Sequence, residues 1–243
     1  FYVTVEQGLE RAGFTVTTKD WLDAYDENRD SHHIEFLESI KAKAAKTGVS
    51  MFVAGFGAIE PEYEYDIPMN EEGDVAVYVL ARTSGEGSDR RIVKGDVLLT
   101  DTEIRNILYL KEKFDKFILV LNVGGVVDLT PVLSVPNILY LSQLGVVTGD
   151  VLANILLGKA YPSGKLTTTW ANPEDYCGFG SFGELNDTRY NEGVYVGYRY
   201  FDTVQKEPYF PFGYGLSYTD FDIRFISIKK EKSKITVQVS VKN

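Results

Sequence analysis

Short apolar runs alternate with longer stretches in which apolar positions recur every three or four residues. FTVTT (14–18), SMFVA (50–54), DVAVYVLA (74–81), KFILVLNV (116–123) and NILYL (137–141) are brief and rich in β-branched or aromatic side chains, which predicts buried strands. Between them the spacing is helical. In 34–47, Ile34, Leu37, Ile40 and Ala44 share one face, lysines fill the other, and Gly48 stands at a C-terminal cap position. In 101–114, Ile104, Ile107, Leu108 and Phe114 form the stripe, with Thr100 and Glu103 spaced as a capping box. In 149–157, Val151, Leu152, Ile155 and Leu156 repeat the pattern, with Thr148 as cap and Gly158 as stop. Alternating strands and helices predict an α/β layer fold with a largely parallel sheet.

The pattern changes after about residue 160. Residues 171–219 are rich in Gly, Tyr, Phe and Pro without a period, which predicts an ordered extension wrapped on the sheet domain, because disordered segments lack aromatics. FDIRFISIKK (221–230) and KITVQVSVKN (234–243) then alternate apolar and polar residues around a polar turn, as a half-buried antiparallel hairpin does. Two strands are not stable alone, so 220–243 is expected to begin a second, all-β domain after an α/β domain at 1–219.

Composition narrows the partners. With 243 residues, 44% hydrophobic and 25% charged, the chain can bury a sizeable core. Lys+Arg number 25 against 35 Asp+Glu, a net charge of −10, which argues against nucleic acid and anionic membrane surfaces. One cysteine, Cys177, excludes an internal disulfide framework. The adjacent His32 and His33 lack further ligands at metal-site spacing and read as an exposed pair near a helix start, so no metal and no cofactor is expected. No apolar run approaches membrane-span length, and FYVTVEQGLERAGF lacks the regions of a signal peptide.

Chemistry is suggested by ARTSGEGSDR (81–90), which follows a strand and therefore falls where ligands of parallel sheets bind. Glu86 lies between Gly85 and Gly87, with Asp89 and Arg90 just behind. A solvated loop carboxylate is one reading. A phosphate loop is a second, weakened by the acidic side chain and by the next helix starting only near residue 101. The third is a general acid/base that a substrate approaches closely between the glycines, with Arg82 or Arg90 orienting the loop through a carboxylate such as Asp89. Glycoside hydrolysis needs two carboxyl groups, and Glu86 is a candidate for one.

The stretches RTSGEGSDRRIVKGD (82–96), LGKAYPSGKLTTTW (157–170), NEGVYVGYRYFD (191–202) and PFGYGLSYTDF (211–221), in this order, resemble the C-terminal α/β sandwich of glycoside hydrolase family 3, the β-glucosidase family. The resemblance runs from about residue 8 to the end, where the last strands are similar to the start of a fibronectin type III-like domain. It implies a three-layer α/β/α sandwich and a retaining mechanism acting on a glucoside or β-linked oligosaccharide. The nucleophile would be an Asp on a (β/α)₈ barrel absent from this chain, and Glu86 would be the acid/base, protonated at rest and a base afterwards. The sandwich's glycine-rich opening strand is absent as well. Bacterial members with permuted domains, sandwich first and barrel last, are most similar in wording, although an interior cut from the usual order would end alike. The N-acetylglucosaminidase branch takes its acid/base from the barrel; GEGSDR argues for the glucosidase branch. A cytoplasmic location is expected from the single cysteine and from those relatives.

Other motifs have plainer readings. Tyr195, Tyr198 and Tyr200 read as packing, Pro162, Ser163 and Gly164 as a turn, Lys94 and Asp96 as loop support, and Trp170 as closing the sheet rather than stacking on a sugar. Two other classes compete with the hydrolase. A non-catalytic carbohydrate-binding or scaffold module would lack a barrel elsewhere in its gene, and a flavodoxin-like nucleotide binder would need a phosphate loop at a helix start.

Overall fold

The computed structural model describes residues 2–83, 87, 89–176, 187 and 189–243. Three of the predicted strands form a parallel sheet. β1 (Ala76–Arg82) pairs with β2 (Phe117–Val123) from Ala76↔Phe117 to Arg82↔Val123, and β2 pairs with β3 (Ile138–Tyr140). Alternation along these strands divides the core. Ala76, Leu80, Phe117, Leu119, Leu121 and Val123 point to one face, where they pack with Ile107 of helix α4 (Asp101–Lys113). Val77, Val79, Ile118 and Val120 point to the other, against Leu152 of α5 (Thr148–Leu156) and Val5 of α1 (Val5–Arg11). Helices on both faces of a parallel sheet make the expected α/β/α layering.

The capping box of α4 is formed. Thr100 Oγ1 accepts from the Glu103 amide at 3.0 Å, and Glu103 Oε2 accepts from the Thr100 amide at 2.8 Å. Gly48 ends its helix in the left-handed region at φ 72°, where glycine has no steric cost. Thr148, by contrast, does not cap α5. It is the first helical residue, and its hydroxyl donates to the Gly145 carbonyl at 2.7 Å.

Two predicted strands are not strands. FTVTT runs as unpaired chain leading into α2 (Lys19–Thr47), tethered where Thr17 Oγ1 donates to the Glu72 carbonyl at 3.0 Å. SMFVA is instead the short helix α3 (Met51–Gly55), because the Ser50 hydroxyl accepts from the Val53 amide and caps the turn. Helix α2 also begins 15 residues before the predicted 34, so His32 and His33 lie inside it rather than near its start. His32 stacks on Tyr63 at 4.3 Å between ring centres, and His33 Nδ1 lies 2.8 Å from Glu60.

The aromatic extension is tied to the sheet domain by backbone bonds between Trp170 and Phe210 and between Leu166 and the 213–214 segment. Trp170 is buried in the core beneath Tyr140, in keeping with the packing role. Tyr198 opens helix α6 (Tyr198–Val204) and stacks on Phe212. Cys177 lies outside the described residues. The hairpin is antiparallel, β4 (Asp222–Glu231) with β5 (Lys234–Lys242), and its register puts Ile223, Phe225, Ile228, Val237, Val239 and Val241 on one exposed face.

The crossing of α1 and α5 rests on two glycines. A Cβ at Gly8 would overlap the Gly149 backbone, and one at Gly149 would overlap the Thr4 carbonyl. Gly8→Ala is therefore expected to destabilise the chain by about 1–3 kcal/mol through overpacking. Gly164→Ala, with open space around the new methyl group, is the control in thermal unfolding. Equal midpoints for the two variants would contradict the close approach.

Candidate active site

The C-terminal end of β1 delivers Arg82 to the start of α4. Its guanidinium makes a two-pronged pair with Glu103, both N···O distances 2.7 Å, with side chains only 3% and 4% exposed. Arg82 Nε also donates to the Asp96 carbonyl at 2.8 Å, and Arg82 NH1 to the Ala81 carbonyl at 2.8 Å. Burial alone would depress the Arg82 pKa, but the hydrogen bonds and charge of Glu103 outweigh it and hold the guanidinium above its ordinary value.

Asp96 joins the second arginine to the first. It is 1% exposed, with Oδ1 on Arg90 Nε and Oδ2 accepting from the Arg91 amide at 2.7 Å, while its carbonyl accepts from both Arg82 and Arg90. One buried carboxylate thus fastens residues 90–96 beneath the end of β1. Gly95, at φ 80°, permits the turn that does this, and its carbonyl accepts from the Glu62 amide at 2.8 Å. Lys94 pairs with Asp101 at the surface. Gln143, just beyond β3, donates to the Arg82 carbonyl at 3.4 Å, so the segment after β3 reaches the end of β1.

Glu86 lies outside the described residues. Its neighbour Gly87 is described: φ is 98°, and a Cβ there would stand 2.5 Å from Phe56 Cε1, so only glycine fits between the loop and that ring. Asp89 is exposed, and the described ion pairs of the two arginines are with Glu103 and Asp96 instead. Those carboxylates are buried beside the guanidinium groups, whereas Asp89 faces water, where a pair gains little. In the sequence Glu103 stands only as the N3 residue of a helix cap. Its place at the first turn of the helix after β1 is the one signal that could have suggested an arginine partner.

Beside this cluster lies a second carboxyl group, Glu62, which accepts from the Tyr25 hydroxyl at 3.0 and 3.1 Å. Burial holds Glu62 above the ordinary carboxyl range, the Glu103 charge adds to this, and the Tyr25 hydrogen bond and the charges of Arg82 and Arg29 oppose it. The folded chain thus binds this proton more tightly than the unfolded chain. The resulting stabilisation is present below the unfolded carboxyl pKa and is lost as pH rises through the folded value. Glu62→Gln is expected to flatten the pH dependence of the urea midpoint across that range; an unchanged slope would contradict it.

A cavity of about 1780 Å³ lies largely away from the loop. It follows the edge of β1 that has no partner strand among the described residues and is lined by Phe14, Val16, Trp21, Val77, Val79 and Tyr25 among others. Its mostly apolar walls suit chain packing better than the chemistry of a sugar.

Residues 10–218 match the family model described as the glycosyl hydrolase family 3 C-terminal domain. The chain is 32% identical over 251 residues to a β-glucosidase of Ruminococcus albus, covering 98% of this chain and 24% of that protein. It is 31% identical to the thermostable β-glucosidase B of Acetivibrio thermocellus, covering 98% and 29%. Among solved structures, β-glucosidase 3B from Thermotoga neapolitana in complex with glycerol superimposes with a TM-score of 0.72 at 30% identity, covering all of this chain and 34% of that one. A β-glucosidase from Paenibacillus barengoltzii gives 0.73 at 29% identity, covering 99% and 26%. The chain therefore spans about a quarter to a third of the length of these relatives.

Proposed function

The chain belongs to glycosyl hydrolase family 3, and from that premise we propose that it is the acid/base-bearing part of a retaining β-glucosidase. The observation that carries the proposal is the GEGSDR sequence directly after β1, with the Arg82–Glu103 and Arg90–Asp96 pairs formed at the C-terminal end of that strand. Glu86, flanked by glycines, protonates the leaving oxygen, and the nucleophilic Asp is supplied by a barrel domain of the same protein. After the glycosyl-enzyme forms, Glu86 takes a proton from water as it attacks. A retaining pair works with its carboxyl groups about 5–5.5 Å apart, so the docking of barrel on sandwich sets the catalytic distance. The arginine pairs then keep the base of the loop in place, since small displacements of catalytic groups are costly in rate.

Two further features are read in the same way. The cavity along β1 takes a further strand of the sandwich. The exposed apolar face of the β4–β5 ribbon is covered by the remainder of a fibronectin type III-like domain beginning at residue 220.

The test is turnover of an aryl β-glucoside and an aryl β-xyloside by the 243-residue chain beside the full-length protein. The full-length protein is expected to be active and the chain silent, because the chain supplies one carboxyl group of two. Turnover by the chain alone would overturn the split site. A full-length protein without a barrel would replace the hydrolase with a non-catalytic carbohydrate-binding or scaffold module.

A further inference from the structure

An α-helix starts with amide groups that have no partner inside the helix. At the start of α4 the amides from Thr100 to Glu103 are all taken. The capping box closes the outer two, and a carboxylate from earlier in the chain closes the inner two: Glu64 Oε1 accepts from the Asp101 amide and Oε2 from the Thr102 amide, each at 2.8 Å. Burial opposes ionisation of Glu64, but these backbone bonds outweigh it and hold the carboxyl below its ordinary value. The chain on either side of Glu64 is fastened too. The Tyr65 carbonyl accepts from the Thr102 hydroxyl at 2.9 Å, and a Cβ on Gly95 would stand 2.1 Å from the Glu62 carbonyl oxygen. Residues 62–65 therefore touch both supports of the arginines: the helix that brings Glu103 to Arg82, and the turn that brings Asp96 to Arg90.

We propose that Glu64 is a positioning residue for the loop that follows β1, fixing the first turn of α4 so that Glu103 meets Arg82; the inference rests on Glu86 being the acid/base. The Glu103 carboxylate serves three donors, the Thr100 amide and two guanidinium nitrogens, and can do so only in one placement of the helix start. Without Glu64, two amides at that start lose a charged acceptor, which the positive end of the helix also favours. The first turn loosens, and Glu103 no longer holds Arg82 in a single geometry. Arg82 is the last residue of β1, so the base of the loop shifts with it, and small displacements of a general acid are costly in rate. Glu64 transfers no proton itself and acts through Glu103 and Arg82.

The experiment measures kcat/KM of the full-length protein and its Glu64→Ala and Glu64→Gln variants on cellobiose and on 2,4-dinitrophenyl β-glucoside. Cleavage of cellobiose needs a proton on the leaving oxygen, whereas dinitrophenolate departs without one. Glu64→Ala is expected to lose roughly ten-fold on cellobiose and to stay within about two-fold on the dinitrophenyl glucoside. Such a split is the mark of a misplaced acid, because a cap that only stabilised the fold would act on both substrates alike. Glu64→Gln keeps one acceptor oxygen and should lose less; it carries the same comparison if Glu64→Ala fails to fold. Equal loss on both substrates overturns the proposal in favour of a purely structural cap, and unchanged values on both overturn it outright. Failure of the acid/base assignment itself is seen separately, as a Glu86→Ala variant that still cleaves cellobiose normally.

Discussion

Glu86→Gln in the full-length protein is expected to lower kcat/KM for cellobiose by about 10²- to 10⁴-fold, the range that a positioned general acid contributes. The substitution keeps the size of the side chain and replaces the titratable carboxyl group with an amide that cannot transfer the proton, so folding should be unaffected. The loss depends on the leaving group. A sugar alkoxide cannot depart unprotonated, whereas a dinitrophenolate can, so a 2,4-dinitrophenyl glucoside should still form the glycosyl-enzyme. Its turnover then stalls at hydrolysis, where the missing carboxylate is the base, and azide, which needs no base, should restore release as glucosyl azide. The measurement is kcat/KM against leaving-group pKa for both proteins. Parallel plots for variant and parent would mean that Glu86 does not transfer the proton, and the acid/base would then be sought elsewhere, as in enzymes that take it from the barrel.

Arg82→Met is expected to destabilise the chain by about 3–5 kcal/mol, read from urea unfolding, because it strands a buried carboxylate. Glu103 would keep the Thr100 amide as a partner and lose both guanidinium bonds, with almost no access to water. Replacing both partners with apolar groups should recover much of the loss, since a buried pair is often no more stabilising than packed hydrocarbon. The double variant separates two roles. If Arg82 and Glu103 also hold the loop, Arg82→Met with Glu103→Leu regains stability while the full-length enzyme stays slow. A single Arg82→Met variant that unfolds like the parent would contradict the buried pair.

Much of the sheet domain could be read from local pattern, and the exceptions have physical causes. DVAVYVLA, KFILVLNV and NILYL were legible because strands covered on both faces are continuously apolar. The capping box at Thr100 and Glu103 was legible because both bonds close within three residues. FTVTT and SMFVA have strand composition, but strand formation depends on a neighbour to pair with, and neither has a ladder among the described residues. Ser50 tipped the second towards a capped turn. The first half of α2, WLDAYDENRDSHH, has few apolar positions and shows no stripe; Trp21 and Tyr25 meet Tyr65 edge-on, and His32 stacks on Tyr63.

The sequence by itself determined the class of the fold, the α4 cap, the hairpin and the family, all carried by short contiguous patterns or by motifs in a set order. It also singled out Glu86, through the glycines beside it. The tertiary structure alone decided which carboxylates the two arginines take, and that Phe56 lies against Gly87. The reason is distance along the chain. Arg82 and Glu103 are 21 residues apart, and the choice of Glu103 over Asp89 follows from burial at the junction of β1 and α4, which exists only once the strand and helix have packed.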